Sequence, residues 1–200
     1  MSEEALELKY LSHEAEDAAV ASILHLSNSI FSPKPESHYA SLEEWKKRLS
    51  DPASRIIYLA LPQPDQQSPA SSGDDRSHSQ PEVDPPSAVA FLFVHPRSHP
   101  EPLKNGPSQS LHIWLAGVLE EYRRKGYLDT MVNALIDDLE KRRWGSESLS
   151  PMPALTLCTT PSMFPLMWTW LKARTRWVLE KELGGGKILL SLTRRYDSIQ

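Results

Sequence analysis

Three consecutive cations and a glycine, Arg123-Arg124-Lys125-Gly126, stand between an apolar stretch, Leu111 to Val118, and a segment of helical periodicity. A strand, a short basic turn with a glycine and then a helix make an anion site. The first turn of a helix carries backbone N–H groups with no intrahelical acceptor, and its dipole favours negative charge there. A pyrophosphate at that end satisfies both. The cations run against the usual preference for acidic residues in a first turn, and an anion seated among them accounts for that. A solvated basic turn capping a core helix is the plainer alternative.

Other chemistry-bearing residues read differently. Cys158 is the single cysteine and sits in an apolar stretch, so it reads as a small core residue and not as an acyl-accepting nucleophile. Gly184-Gly185-Gly186-Lys187 lacks the spacing and the following hydroxyl of a phosphate loop and reads as a hairpin turn. His95 and His99 are separated by Pro96, which prevents a regular helix from joining them, and no metal is expected. Lys141-Arg142-Arg143 closes a helix, where cations suit the dipole. A nucleic-acid role would need a broader basic face with stacking aromatics, so none is expected. The tryptophans at 114, 168, 170 and 177 read as core, with one or two available to line an apolar acceptor pocket.

These residues must be positioned by a mixed α/β layout. Leu128, Met131, Val132, Leu135, Ile136 and Leu139 fall on one helical face, predicting a helix over Gly126 to Arg143. Helices are also predicted over Ala15 to Phe31 (Val20, Ile23, Leu24 and Ile30 on one face), Ser41 to Leu49 and Phe164 to Ala173. Ser41-x-x-Glu44 matches a capping box. Strands are predicted at Leu6–Leu11, Arg55–Leu61, Ala88–Val94, Leu111–Val118, Ala154–Thr159, Trp177–Leu183 and Lys187–Thr193. The order is βααβββαβαββ. Pro62 to Ser87 is rich in Pro, Ser, Gln and Asp without an aromatic residue; it reads as a disordered insertion within one domain spanning 1–200, flanked by neighbouring strands. Pro96 to Pro107 reads as a second polar loop.

Composition narrows the classes. With 200 residues, one domain with a real core is the expectation. A formal charge of −4 is mild and argues neither for a nucleic-acid groove nor for an acidic-substrate funnel spread over the whole surface. One cysteine excludes a disulfide framework and suits a reducing compartment. The acidic start, Met1-Ser2-Glu3-Glu4, lacks a signal-peptide layout, and no apolar run is long enough to span a bilayer. A soluble protein of the cytoplasm or nucleus, with no membrane partner, is the expectation.

This order of elements, from Leu6 to Thr193, resembles the GCN5-related N-acetyltransferase (GNAT) family. The family signature is Gln or Arg, two residues, Gly, one residue, then Gly or Ala. Arg123 and Gly126 match it, and Leu128 departs from it. Phe164-Pro165-Leu166-Met167-Trp168, Trp170-Leu171 and Trp177-Val178 resemble the last helix and strand of fungal-type members. The resemblance implies acetyl-CoA, or another acyl-CoA, as co-substrate, and no metal. It places backbone N–H groups of Arg124 to Leu128, Tyr127 among them, around the pyrophosphate, with side-chain charge from Arg123, Arg124 and Lys125. Main-chain groups of Ala116, Gly117 and Val118 would pair with the pantetheine arm as if it were an added strand. A bulge that splays this strand from the next is expected at Gly117.

Acetyl transfer needs a neutral amine, a base and an oxyanion donor. A lysine-like amine, with a reference pKa of about 10.4, is mostly protonated at neutral pH. The resemblance puts His112 where histone acetyltransferases carry their basic glutamate, and imidazole titrates in a useful range. A hydrogen-bonded structural histidine is the other reading, and Glu120 and Glu121 are alternative bases. The Val118 N–H is the expected oxyanion donor. The last helix offers no tyrosine as general acid, which leaves Ser162, Thr160 or water. Thr159-Thr160-Pro161-Ser162 also stands where the family has an asparagine. The leading expectation is an N-acyltransferase acting on an amine of a small molecule or a protein. A non-catalytic acyl-CoA-binding module is the second, and an α/β domain that binds no nucleotide the third. A homodimer through the last strands is open.

Overall fold

The structure, a computed structural model, describes residues 5–31, 40–62, 87–104, 108–145, 154–159, 176–183 and 187–193. The elements are β1 (Glu7–Leu11), α1 (Asp17–Phe31), α2 (Leu42–Leu49), β2 (Arg55–Ala60), β3 (Ala88–Ser98), β4 (Gln109–Val118), a short 3-10 turn (Glu120–Tyr122), α3 (Tyr127–Gly145), β5 (Ala154–Thr159), β6 (Arg176–Leu183) and β7 (Lys187–Thr193). The strands form one seven-stranded sheet in the order β1-β2-β3-β4-β5-β7-β6. Every pairing is antiparallel except β4 with β5. The expected helix over Phe164–Ala173 and the insertion at 63–86 lie outside the described residues. The mouth of the insertion is closed as expected: β2 and β3 are neighbours, and the Leu61 N–H donates to the Ser87 carbonyl at 3.1 Å.

Helices cover both faces of the sheet. On one face α3 lays Met131, Val132, Leu135 and Leu139 onto Ile57, Leu59, Leu92, Val94, Leu111 and Ile113. Leu128 and Ile136 complete the periodic face at its edge. A buried ion pair between Arg55 on β2 and Asp138 on α3 ties this helix to the sheet. On the other face α1 and α2 bring Val20, Ile23, Leu26, Trp45 and Leu49 onto Ile56, Tyr58, Phe91 and Phe93. Ser41 caps α2, its hydroxyl accepting from the Glu44 N–H at 3.2 Å. The Glu44 carboxylate does not complete the box; it binds Arg48 one turn on, at 2.8 Å.

Two features of β3 and β4 differ from expectation. β3 does not stop at Val94 but runs through Pro96 to Ser98, paired with β4 throughout. The bond from the His99 N–H to the Ser108 carbonyl sets the alternation, which turns the ring nitrogen of Pro96 away from β4. It falls beyond the end of β2, whose last pair is Arg55 with Val94, so no ladder bond is lost. The bulge in β4 is not at Gly117. Gly117 pairs with Phe91, and the register shifts between Phe93 and Val94, where Trp114 is the extra residue. A Cβ on Gly117 would lie 3.0 Å from Ile30, 3.1 Å from Phe91 and 3.2 Å from Phe31. Glycine there lets the end of α1 approach the strand.

Candidate functional site

Beyond Ile113 the sheet forks. β4 and β5 are paired from Ser110 with Ala154 to Ile113 with Leu157, and no further. Among the described residues β4 continues to Val118 on β3 alone. The Leu119 N–H donates to the Val89 carbonyl, so the Ala90–Val118 pair is a non-hydrogen-bonded one. By alternation the main-chain groups of Ala116 and Val118 face the fork, and those of Gly117 are taken up by Phe91. Of the three residues expected to offer main-chain groups to a pantetheine arm, Ala116 and Val118 are therefore placed to do so and Gly117 is not. The Val118 carbonyl already accepts from Arg123 Nε at 3.1 Å, which leaves its N–H as the group it can offer.

The open edge of β4 runs directly into the basic turn. After the 3-10 turn the chain is extended at Arg123, left-handed at Arg124 (φ 64°) and left-handed again at Gly126 (φ 79°). A left-handed non-glycine residue costs on the order of 1 kcal/mol and is informative when it recurs beside a site. Such a turn gathers successive N–H groups into an anion-binding concavity. The first intrahelical bond of α3 runs from the Thr130 N–H to the Gly126 carbonyl at 3.0 Å, so the N–H groups of Tyr127 and Leu128 precede it. Nothing lies within 4 Å of where a Gly126 Cβ would be, so the approach to this end is open. Arg124 and Lys125 are exposed, with the Lys125 ammonium 4.9 Å from the Tyr122 ring centre. Leu128 packs its side chain on the core and leaves the turn clear. The residues present thus fit a pyrophosphate: a helix N-terminus, two left-handed residues and two exposed cations.

On the α1/α2 face, below the fork, lies a buried polar chain that crosses β3, β4 and β5. Arg97 donates through one guanidinium nitrogen to His112 Nε2 at 3.2 Å and to Cys158 Sγ at 3.3 Å. Arginine has no acceptor atom, so His112 Nε2 carries a lone pair and Nδ1 carries the proton. That proton goes to Thr156 Oγ1 at 2.9 Å. Thr156 and Ser110 share a 2.7 Å bond, and Ser110 reaches His99 Nε2 at 2.7 Å. Running protons from His112 through Thr156 and Ser110 to His99 gives every one of these groups a partner. His112 is buried, and its pKa falls from 6.5 to about 3 through loss of solvation first and then the Arg97 charge, with smaller repulsions from His95, His99 and Arg48. Cys158 is not the apolar core residue expected; its sulfur faces this chain and accepts from Arg97.

Trp114, pushed out by the bulge, packs edge-on against Trp45 and Phe93. The Arg48 guanidinium sits 4.1 Å over its ring. His95 meets Trp114 at 6.2 Å and His112 at 5.9 Å between ring centres. His95 and Arg97 were not expected at the site; the signal available was their period-2 placement, once β3 is read through Pro96. Glu120 and Glu121 are exposed on the 3-10 turn and outside this cluster. Ser162 and Thr160 lie outside the described residues.

A mixed seven-stranded sheet with one parallel pair that forks, and a helix N-terminus at the open end, is the acyl-CoA N-acyltransferase (GNAT) fold. The solved structures it matches carry that fold. Among them are the Arabidopsis thaliana NAA60 in complex with a bisubstrate analogue (12% identity, 92% of this chain and 97% of that one, TM-score 0.54), the NatC complex bound to Gag peptide and CoA (14%, 94% and 96%, 0.55) and an acyl-CoA N-acyltransferase from Pseudomonas aeruginosa (11%, 94% and 100%, 0.56). No protein-family model matches the chain, and no curated protein matches it in sequence.

Proposed function

We propose that this protein is an acyl-CoA-dependent N-acyltransferase that moves an acetyl group from acetyl-CoA to an amine by direct attack. The observation that carries the reading is the fork: a strand edge left open from Ala116 to Val118 that ends on an anion-binding helix N-terminus. A pantetheine arm fits the first as an added strand, and a pyrophosphate fits the second. The likeness to structures holding CoA, a peptide or a bisubstrate analogue supports the same reading. Arg124 to Leu128 would hold the phosphates, and the Val118 N–H would polarise the thioester carbonyl, with the Ala116 N–H facing the same fork. The acceptor is an amine of a small molecule or a protein. The single-domain organisation, the fungal-type resemblance of the last helix and a cytoplasmic or nuclear site belong to this proposal as well.

A second reading, an acyl-CoA-binding module without catalysis, is favoured by one observation: neither nitrogen of His112 is free in the chain of bonds that holds it. Calorimetry with acetyl-CoA on the native protein and on Gly126→Glu tests the donor site; micromolar binding lost in the variant is the expected result. Release of free thiol in the presence of amines then separates the enzyme from the binding module. Absence of acetyl-CoA binding by the native protein would falsify both.

A further inference from the structure

The sheet has two outer edges, and they are finished differently. β6 is interrupted by a register shift between Leu179 and Lys181, and Glu180 at that point is tied back to Ser191 and to the Lys104 N–H. A bulge with charges blunts an edge against added strands. β1, at the other end of the strand order, has neither bulge nor proline; it runs from Glu7 to Leu11 against β2 in unbroken register. The ladder decides which of its main-chain groups face outward. The Leu61 N–H bonds Ser87 on the β3 side, so along β2 Leu61, Leu59 and Ile57 face β3 while Ala60, Tyr58 and Ile56 face β1. The latter three pair with Glu7, Lys9 and Leu11, whose N–H and carbonyl groups therefore point inward. Leu6, Leu8 and Tyr10 turn theirs outward, and among the described residues no strand takes them up.

We propose that this edge is where two copies of the chain join, antiparallel about a two-fold axis at Leu8, into one continuous sheet. An added strand must bring outward-facing residues opposite one another, which leaves few registers. An axis at Glu7 sets two carboxylates against each other, and an axis at Lys9 sets two ammonium groups; both are repulsive. Axes at Leu6 or Tyr10 shorten the ladder and leave both charges unmatched. An axis at Leu8 sets Glu7 opposite Lys9 of the second copy, and symmetry repeats that pair. It is a non-hydrogen-bonded pair, in which facing side chains stand closest. Glu7 and Lys9 already share a face and meet at 2.9 Å within one chain, 50% and 33% exposed, so neither is drawn out of the core to reach across.

The other face of the strand agrees with this register. There the same axis brings Leu8 onto its own copy and Leu6 onto Tyr10 of the second chain. Tyr10, at 49%, is one of the two large apolar residues exposed among those described. Leu6 and Leu8 already pack at the margin of the core beneath α3. The join extends that core across the axis and covers the Tyr10 ring. The helices pack chiefly over β2, β3 and β4, set back from the edge. Each outward-facing pair exchanges two main-chain bonds. With so short a strand the buried area is small, and the dimer is of the weak, concentration-dependent kind. The fork at β4 lies three strands in from β1, so the join neither uses nor blocks it, and the inference does not rest on the acyl-transfer reading.

Sedimentation velocity on the full chain, without ligand, tests the join. The native chain is expected to pass from monomer to dimer between about 1 and 100 μM, with the same dissociation constant when CoA is added. Glu7→Lys and Lys9→Glu each turn both cross-strand attractions into repulsions. Either alone is expected to raise that constant roughly 10-fold or more, with the thermal midpoint at low concentration unchanged. The double exchange, Glu7→Lys with Lys9→Glu, restores opposite charges only where the two positions face each other, and is expected to bring the homodimer back. A native chain that stays monomeric at about 100 μM overturns the proposal and leaves the edge to a strand of another protein. A native dimer that both single variants keep, or that the double exchange fails to restore, overturns it as well and places the join elsewhere.

Discussion

Gly126 and Gly117 are required for different reasons. Gly126 is left-handed with open space about it, so the cost of a side chain there is conformational and not steric. Gly126→Ala is expected to lose on the order of 1 kcal/mol of stability, and Gly126→Glu to lose acetyl-CoA binding with little further change in thermal midpoint. Gly117→Val is expected to cost about 1–3 kcal/mol by pushing α1 off the strand, with urea unfolding as the check. Thr156 receives the His112 proton and passes one to Ser110. Thr156→Val keeps the shape but strands two buried polar groups, for an expected loss of about 1–3 kcal/mol. The basic turn was legible because its three cations and glycine are contiguous. The polar chain was not, because its members come from three strands far apart in sequence, and only the register brings them together.

Among the elements, periodicity did most where one face is buried. All six apolar positions expected on α3 reach the core, and β5 and β7 have the expected bounds. It did least where a local signal misled. Pro96 reads as the end of a strand, yet the strand passes through it because the lost donor faces no partner. Gly117 reads as a bulge, yet the bulge falls on Trp114 and the glycine serves helix packing. The fork itself was expected only through family resemblance, since nothing in the composition of β4 or β5 says where their pairing ends. The open edge makes its own prediction. Amide exchange at Ala116 and Val118 is expected to be fast in the free protein and to slow on addition of CoA, while Gly117, bonded to β3, is slow in both.

For the whole molecule, the buried histidines set the response to acid. His112 has a folded pKa of about 3, below the 6.5 of an unfolded chain, so the unfolded state takes up the proton first as pH falls. Its contribution is full above about pH 6.5 and declines toward pH 3, at about 1.4 kcal/mol per pH unit. His95 and His99, lowered chiefly by loss of solvation, add to the loss as pH falls below 6.5. Urea midpoints at pH 7 and pH 5 are expected to fall accordingly, and His112→Asn to flatten the slope. The insertion makes the opposite prediction. Replacing residues 63–86 by a short Gly-Ser turn is expected to leave thermal midpoint and acetyl-CoA affinity unchanged, because the strands it joins are already bonded at its mouth.

The fork has a consequence for the protein when no ligand is present. Sheets ordinarily keep their unsatisfied margins short and charged, at the outside, where they are guarded against stray strands. Among the described residues this one leaves a margin unpaired in its middle, at Ala116 and Val118, beside apolar neighbours. A vacant cleft of that kind is a template that any extended peptide can complete, including one from a partly unfolded copy of the same chain. The ligand that fits the cleft is then also its guard: CoA should suppress self-association as well as raise stability, and depletion of acyl-CoA should leave the protein prone to aggregate before it unfolds.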